Sequence, residues 1–373
     1  MEGGHLLGQG SYGCVFTPPL LCKSYKGQKF KRVGKITEAE DAEHEIRIAN
    51  LLRKMPLVKH YILLPDPESC IPAPLSQQKD KEIKECEATT RENSYKVPWS
   101  QSRQLFLPFG GRKPLGNMIL ASNIHPSSFS FLDFMKHILE AGSLLLVAGV
   151  CHYDLHPNNF IKDPYGVVRI LDLGQAFDVR SITEETVQTR WKQLMFGYEQ
   201  DAPNSMVTNA EAPEITIINA MRNEYDQDDA IANVIKGKSV FRDMEKVLGI
   251  SREASYEVLN YFFETSESIK KNDWTQFYKL YWTGFDAWSI GSLLLKILQY
   301  QITWAEFLQE PEWQSKQTMI KLALKGLLNP NPHRRLDCLE ALFIFDPNNK
   351  WISQFGKSWL EKRQRLRAAQ QKN

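Results

Sequence analysis

Two prolines decide the local fold at the start of the chain. The run "LGQGSYGCVFTPP" spells G-x-G-x-x-G-x-V at Gly8, Gly10, Gly13 and Val15, then meets Pro18 and Pro19. A dinucleotide-binding turn must open a helix directly, and here the Val-Phe pair and the prolines oppose one. The glycines therefore cap a β-hairpin. In such a loop, backbone N–H groups can approach phosphate oxygens without Cβ obstruction.

Strand-like character is confined to the first third of the sequence. Residues 5–16 and 28–36 read as strands, as do 61–64 and 104–109. Thr37 followed by Glu40 spells a capping box, and Ala42, Ile46, Ala49 and Leu52 recur at helical spacing as far as Met55. Residues 65–103 are rich in proline and charge and lack periodicity, which predicts an inserted surface loop. Gly110 and Gly111 mark a lobe boundary. Beyond them helices dominate: Phe131–Val150, Phe285–Leu298, Met319–Leu328 and a basic, solvated one over 351–369. At 373 residues the chain has room for two lobes, and it shows no internal repeat.

Composition excludes more than it identifies. The formal net charge is +2 with 24% charged residues, so no global field points to nucleic acid, and none is expected as a partner. Cys14, Cys22, Cys70, Cys86, Cys151 and Cys338 include no C-x-x-C pair and read as reduced intracellular thiols. The N-terminal stretch has no basic n-region or apolar h-region, and no apolar run reaches the ~20 residues a bilayer needs. The expectation is an intracellular, cytoplasmic protein without membrane insertion.

Chemistry concentrates in a few short motifs. "VGKI" offers a strand lysine, Lys35, and the following helix offers Glu45 at the edge of its buried stripe. "CHYDLHPNNF" sets Asp154, His156 and Asn159 at fixed offsets, and "VRILDLGQAF" adds Asp172. Taken in order, "GQGSYGCV", "VGKI", "HYDLHPNN", "DLG", "APE", "FDAWSIG" and "NPNPHRRL" resemble the protein-kinase signature set across nearly the whole chain. The resemblance is to eukaryotic-type serine/threonine kinases, of the divergent kind that large DNA viruses encode.

That resemblance implies an α+β, bilobal fold. A small β-rich N-lobe with one main helix would span 1–109, and a mostly helical C-lobe 110–373, with an insertion over about 215–280. It implies ATP and Mg²⁺ as cofactors, a protein substrate, and a monomer. Lys35 would pair the α- and β-phosphates and be held by Glu45, with Glu38 and Glu43 as alternatives because the spacing is short. Asp154 would orient the attacking hydroxyl with His156 beside it, and Asn159 and Asp172 would hold magnesium. Leu7, Gly8, Gln9, Gly10, Ser11, Gly13, Val15 and Val33 would surround the nucleotide. The strand "QLFLPFGG" would supply the hinge near Phe109. Asp286 would brace the catalytic loop, and Arg335 would partner Glu214.

The departures are informative. Tyr153 stands where the family usually has the arginine that meets a phosphorylated activation segment, so Ser181, Thr183, Thr186 and Thr189 are not expected to be obligatory switch sites. His156 stands where serine/threonine kinases generally have lysine. "HYDLHPNN" also resembles loops of aminoglycoside- and choline-kinase-type phosphotransferases, which leaves a small-molecule kinase as the alternative, beside a catalytically silent binding module. The gap from Glu214 to Asp286 is long, so either helices are inserted after "EAPE" or that motif is a coincidence.

Overall fold

The computed structural model describes residues 4–10, 13–23, 32–78, 82–86, 99–111, 113–120, 124–190 and 209–370. They fall into two compact units, Met1–Lys113 with Ile161–Ala176, and Pro114–Phe160 with Phe177–Asn373. The first unit thus takes in a stretch that a linear division after residue 109 assigns to the C-terminal part.

The first unit is built on an antiparallel sheet in the order β1-β2-β3-β5-β4. Its strands are β1 (His5–Gly10), β2 (Gly13–Thr17), β3 (Arg32–Glu38), β4 (Ser69–Cys70) and β5 (Ser102–Pro108). Register places Val15 opposite Lys35 and Lys35 opposite Leu105. Because strand side chains alternate, the sheet has two different faces. On one, Val15, Val33, Leu105 and Leu107 pack with Ala42 and Ile46 of helix α1 (Ala39–Leu52). On the other, Cys14, Phe16 and Ile36 pack with Leu20, Ile83 and Cys86.

That second face corrects two sequence expectations. The described residues of the 65–103 segment do not all lie free on the surface: Ile83 and Cys86 are core residues, and Trp99 packs beside them, while 79–81 and 87–98 lie outside the described residues. Disulfides Cys14–Cys86 and Cys22–Cys70 fasten it to the hairpin side of the sheet. Four of the six cysteines are therefore paired, and only Cys151 and Cys338 are free thiols. Partners 72 and 48 residues apart leave no short-range spacing signature, so a search for C-x-x-C passes over them.

Two local expectations also change. Thr37 is not a helix cap, because the β3–β5 ladder runs on through Thr37 and Glu38 and keeps both extended. Helix α1 starts after Glu38 with no side-chain cap, and Glu40 and Asp41 in its first turn complement the helix dipole instead. Residues 61–64 are not a strand of the sheet: Val58–Tyr61 is a helical turn, followed by a single bridge from Ile62 to Ile170. A short apolar run is compatible with either state, and here burial alone explains it.

The second unit is helical: α2 (Phe131–Ala148), α3 (Pro213–Arg222), α4 (Gln227–Gly237), α5 (Ser239–Leu248), α6 (Arg252–Thr265), α7 (Trp274–Tyr281), α8 (Phe285–Gln301), α9 (Pro311–Leu327), α10 (Cys338–Phe345) and α11 (Lys357–Gln370). Helix α8 is buried almost all round, and α2 is buried on all but the stripe that carries Asp133, Lys136, His137 and Glu140. They meet α10 at Gly142, where a Cβ would lie 2.6 Å from both Cys338 Sγ and Ile290 Cδ1. Any side chain there would force these helices apart. Among the described residues, no helix is long and apolar enough to cross a membrane.

Candidate active site

In the first unit, Lys35 sits mid-strand on the face that packs on α1. Helical spacing puts Glu45 on the same stripe as Ala42 and Ala49, pointing at that face. Lys35 Nζ lies 2.5 Å from Glu45 Oε1 and 2.8 Å from Asp172 Oδ1. Glu38 and Glu43, the other candidates, are exposed, so Glu45 is the partner.

This is one ammonium between two carboxylates. Burial on its own lowers the Lys35 pKa, but Asp172 and Glu45 overcome that and carry it well above its ordinary value. Glu45 is pushed up to about 7, chiefly by burial and further by Asp172, against the pull of Lys35. The two carboxylates are not equivalent: the Glu45 side chain is 2% exposed and that of Asp172 38%. Asp172 is thus the oxygen donor open to a ligand. It adopts a left-handed backbone (φ 67°), and its Oδ1 accepts the Gly174 N–H at 3.2 Å. On the other side of α1, His44 Nε2 lies 2.7 Å from the Ala176 carbonyl, tying the helix to the segment after Asp172.

The glycine-rich hairpin is more selective than its motif. A Cβ at Gly8 would meet nothing within 4 Å, whereas at Gly13 it would collide with the Ile36 carbonyl of β3. Gly8 leaves open space, and Gly13 is required by strand packing. Gly10 ends β1 opposite Gly13, and Leu7, Gly8 and Gln9 are exposed. Ser11 lies outside the described residues. Leu7 and Phe109 line a common cavity of about 1330 Å³ with Arg32, Asp66 and Asp163, while Val15 and Val33 belong to the sheet face over α1. The sequence-derived nucleotide contacts are thus brought together as two pairs.

In the second unit, the loop 152–159 is fixed from beneath. The Asp286 carboxylate accepts the backbone N–H groups of His152 at 2.7 Å and Tyr153 at 2.8 Å. Burial raises the Asp286 pKa, against the opposing pull of His152 and of these hydrogen bonds. Asn159 Nδ2 donates to the Asp154 carbonyl at 2.8 Å and to Asp154 Oδ2 at 3.2 Å. His156 Nδ1 accepts the Asn158 N–H at 3.2 Å, so in the neutral ring the proton sits on Nε2. That nitrogen lies 3.6 Å from Asp154 Oδ2, so His156 presents a donor beside the carboxylate.

Glu214 and Arg335 are brought together, both side chains fully buried, and α4 to α7 fill the gap between Glu214 and Asp286. Thr183 and Thr186 form a reciprocal capping box on the helix Glu184–Gln188, and Thr189 Oγ1 donates to the Glu185 carbonyl at 3.0 Å. These hydroxyls therefore have structural roles. Sequence reasoning missed Tyr278 and Arg190, which surround Tyr153. Neither carries a spacing signal.

No protein-family model matches the chain, and no curated protein matches it. Among solved structures it is similar to the kinase domain of a Toxoplasma gondii specific rhoptry antigen, at 14% identity over 95% of this chain and 81% of that one, with a TM-score of 0.48.

Proposed function

We propose that the chain is a protein kinase that transfers the γ-phosphoryl group of magnesium-bound ATP to serine or threonine hydroxyls of a protein. The observation that carries this reading is the Lys35 ammonium held between a closed carboxylate, Glu45, and an open one, Asp172. With one positive and two negative charges, the cluster has net charge of about −1 when all three groups are ionised, which favours an added cation. Among the described residues no group of three or more His, Cys, Asp or Glu forms a metal cage. Magnesium takes one or two protein oxygens and completes its shell with water and phosphate.

Magnesium-bound ATP supplies the phosphoryl group and the charge neutralisation that its transfer needs. Lys35 offers a fixed positive charge to phosphate oxygens, and Glu45 keeps it from turning away. Asp172 offers an oxygen to the cation. Asn159 spends its amide nitrogen on Asp154, so its oxygen is the atom left for a metal. Asp154 would receive or orient the proton of the acceptor hydroxyl, and the bond from Asn159 fixes the direction of its carboxylate.

The test is transfer of labelled γ-phosphate from Mg-ATP to generic proteins and to the chain itself, with Asp154→Asn alongside. The expected result is label on serine or threonine that falls by about 10² to 10⁴ in the variant, with nucleotide binding retained. Labelling of hydroxylated metabolites and no protein would make it a small-molecule kinase. Nucleotide binding without transfer to either would make it a silent binding module.

A further inference from the structure

One side chain from the helices between Glu214 and Asp286 reaches the loop that carries Asp154. Tyr278, on α7, is buried, and its hydroxyl lies 2.6 Å from that of Tyr153. The two rings stack with centroids 5.9 Å apart at 30°. Phe285 meets the Tyr153 ring edge-on at 5.9 Å, and Phe177 does so at 6.0 Å.

Tyr153 needs such support. Its φ of 68° is left-handed, a conformation that side chains other than glycine adopt only when their surroundings hold them there. Its backbone N–H is fixed by Asp286, and the far end of its side chain by Tyr278. The activation segment is tied to the same cluster: Arg190 is buried, with its guanidinium 4.8 Å over Phe177 and 5.9 Å over Tyr153. Arg190 Nη1 also donates to the Thr186 carbonyl at 2.8 Å. Here an arginine from the segment approaches the loop, where the kinase pattern has an arginine on the loop awaiting a phosphate on the segment.

We propose that Tyr278 is a positioning residue for Asp154, acting through Tyr153. The tyrosine pair, with Arg190 stacked against it, holds the catalytic loop in place without a phosphorylated activation segment. This rests on the phosphotransferase reading above.

The experiment compares the wild type with Tyr278→Phe, Tyr153→Phe and the double variant. It measures amide hydrogen exchange of residues 152–155, kcat, and KM for ATP. Either single variant should speed exchange in this loop and lower kcat about five- to tenfold, with KM for ATP held within about twofold, the scale of one buried hydrogen bond. The double variant should be no worse than either single one, because removing both hydroxyls leaves neither unpaired. Phosphatase treatment of the wild type should leave kcat unchanged. Unchanged exchange, unchanged kcat in a folded variant, fully additive losses, or collapse of activity after phosphatase would each overturn the proposal. If the wild type transfers no phosphate at all, the functional reading fails. Exchange then still decides the brace: faster exchange in Tyr278→Phe upholds it, and unchanged exchange removes it.

Discussion

Arg335 grips Glu214 through two parallel N–H···O bonds, each 2.8 Å long, with neither side chain exposed to water. The guanidinium also donates to the carbonyls of Asn329 at 2.9 Å and Gly284 at 3.1 Å, and stacks 4.9 Å over Trp288. One side chain thus joins the start of α3, the entry to α8 and the turn before α10.

Removing one partner should therefore be severe. Arg335→Met leaves a buried carboxylate and several carbonyls unpaired, and a lost partner in a buried pair costs about 3–5 kcal/mol. The expected result is a fall in the unfolding midpoint of roughly 10 °C, read by calorimetry. The double change Glu214→Leu with Arg335→Met should recover much of the loss, because it buries no lone charge. A single variant as stable as the wild type would show that the pair does not hold these elements together.

The disulfides predict a thiol count. Without reductant the denatured chain should titrate two thiols, Cys151 and Cys338, and with reductant all six. Replacing Cys14 and Cys86 together by serine should destabilise the first unit by about 2–4 kcal/mol, the typical worth of closing a long loop. Six reactive thiols without reductant would contradict the pairing. The expectation of an intracellular protein rests in part on reading these cysteines as thiols, and pairing removes that part of its ground.

What was legible in the sequence was local. Lys35, Asp154, Asn159 and Asp172 stand out because their offsets to neighbouring motif residues are short and fixed by backbone geometry. Helical spacing favours Glu45, at the edge of the stripe of Ala42 and Ala49, but leaves Glu38 and Glu43 open, and only their exposure in the fold excludes them. Tyr278, Arg190 and the disulfide partners depend on chain returns of tens of residues or more, and no spacing rule encodes them. Thr37 misled because a capping box and a strand end use the same residue types, and only the β5 ladder decides between them.

Glu45 predicts a pH dependence with a definite sign. Its folded pKa of about 7 lies above the ordinary 4.5, so its contribution to stability is fully present below about 4.5 and is lost as pH rises through about 7. The span corresponds to something on the order of 3 kcal/mol. Glu45→Gln should flatten the denaturation profile across that window relative to the wild type, since neither state of glutamine titrates. Chemical denaturation at several pH values measures this, and parallel profiles for the two proteins would refute it.

Asp286 should matter for turnover more than for nucleotide affinity. Its two oxygens each accept a backbone N–H, from His152 and Tyr153, and both bonds bear on the residues leading into Asp154. Asparagine at this position keeps the size but presents an NH₂ group to one of those donors, so one backbone N–H loses its acceptor and faces a second donor. A lost bond to a charged acceptor is worth about 1.5–3 kcal/mol. If most of it appears as misplacement of Asp154, kcat should fall roughly 10- to 100-fold, while KM for ATP changes little. Because Lys35, Glu45 and Asp172 all lie in the other compact unit, the nucleotide contacts proposed for them should persist. Steady-state kinetics of Asp286→Asn against ATP reads both numbers. A rise in KM with kcat preserved would assign Asp286 to nucleotide binding instead, and would detach the brace from catalysis.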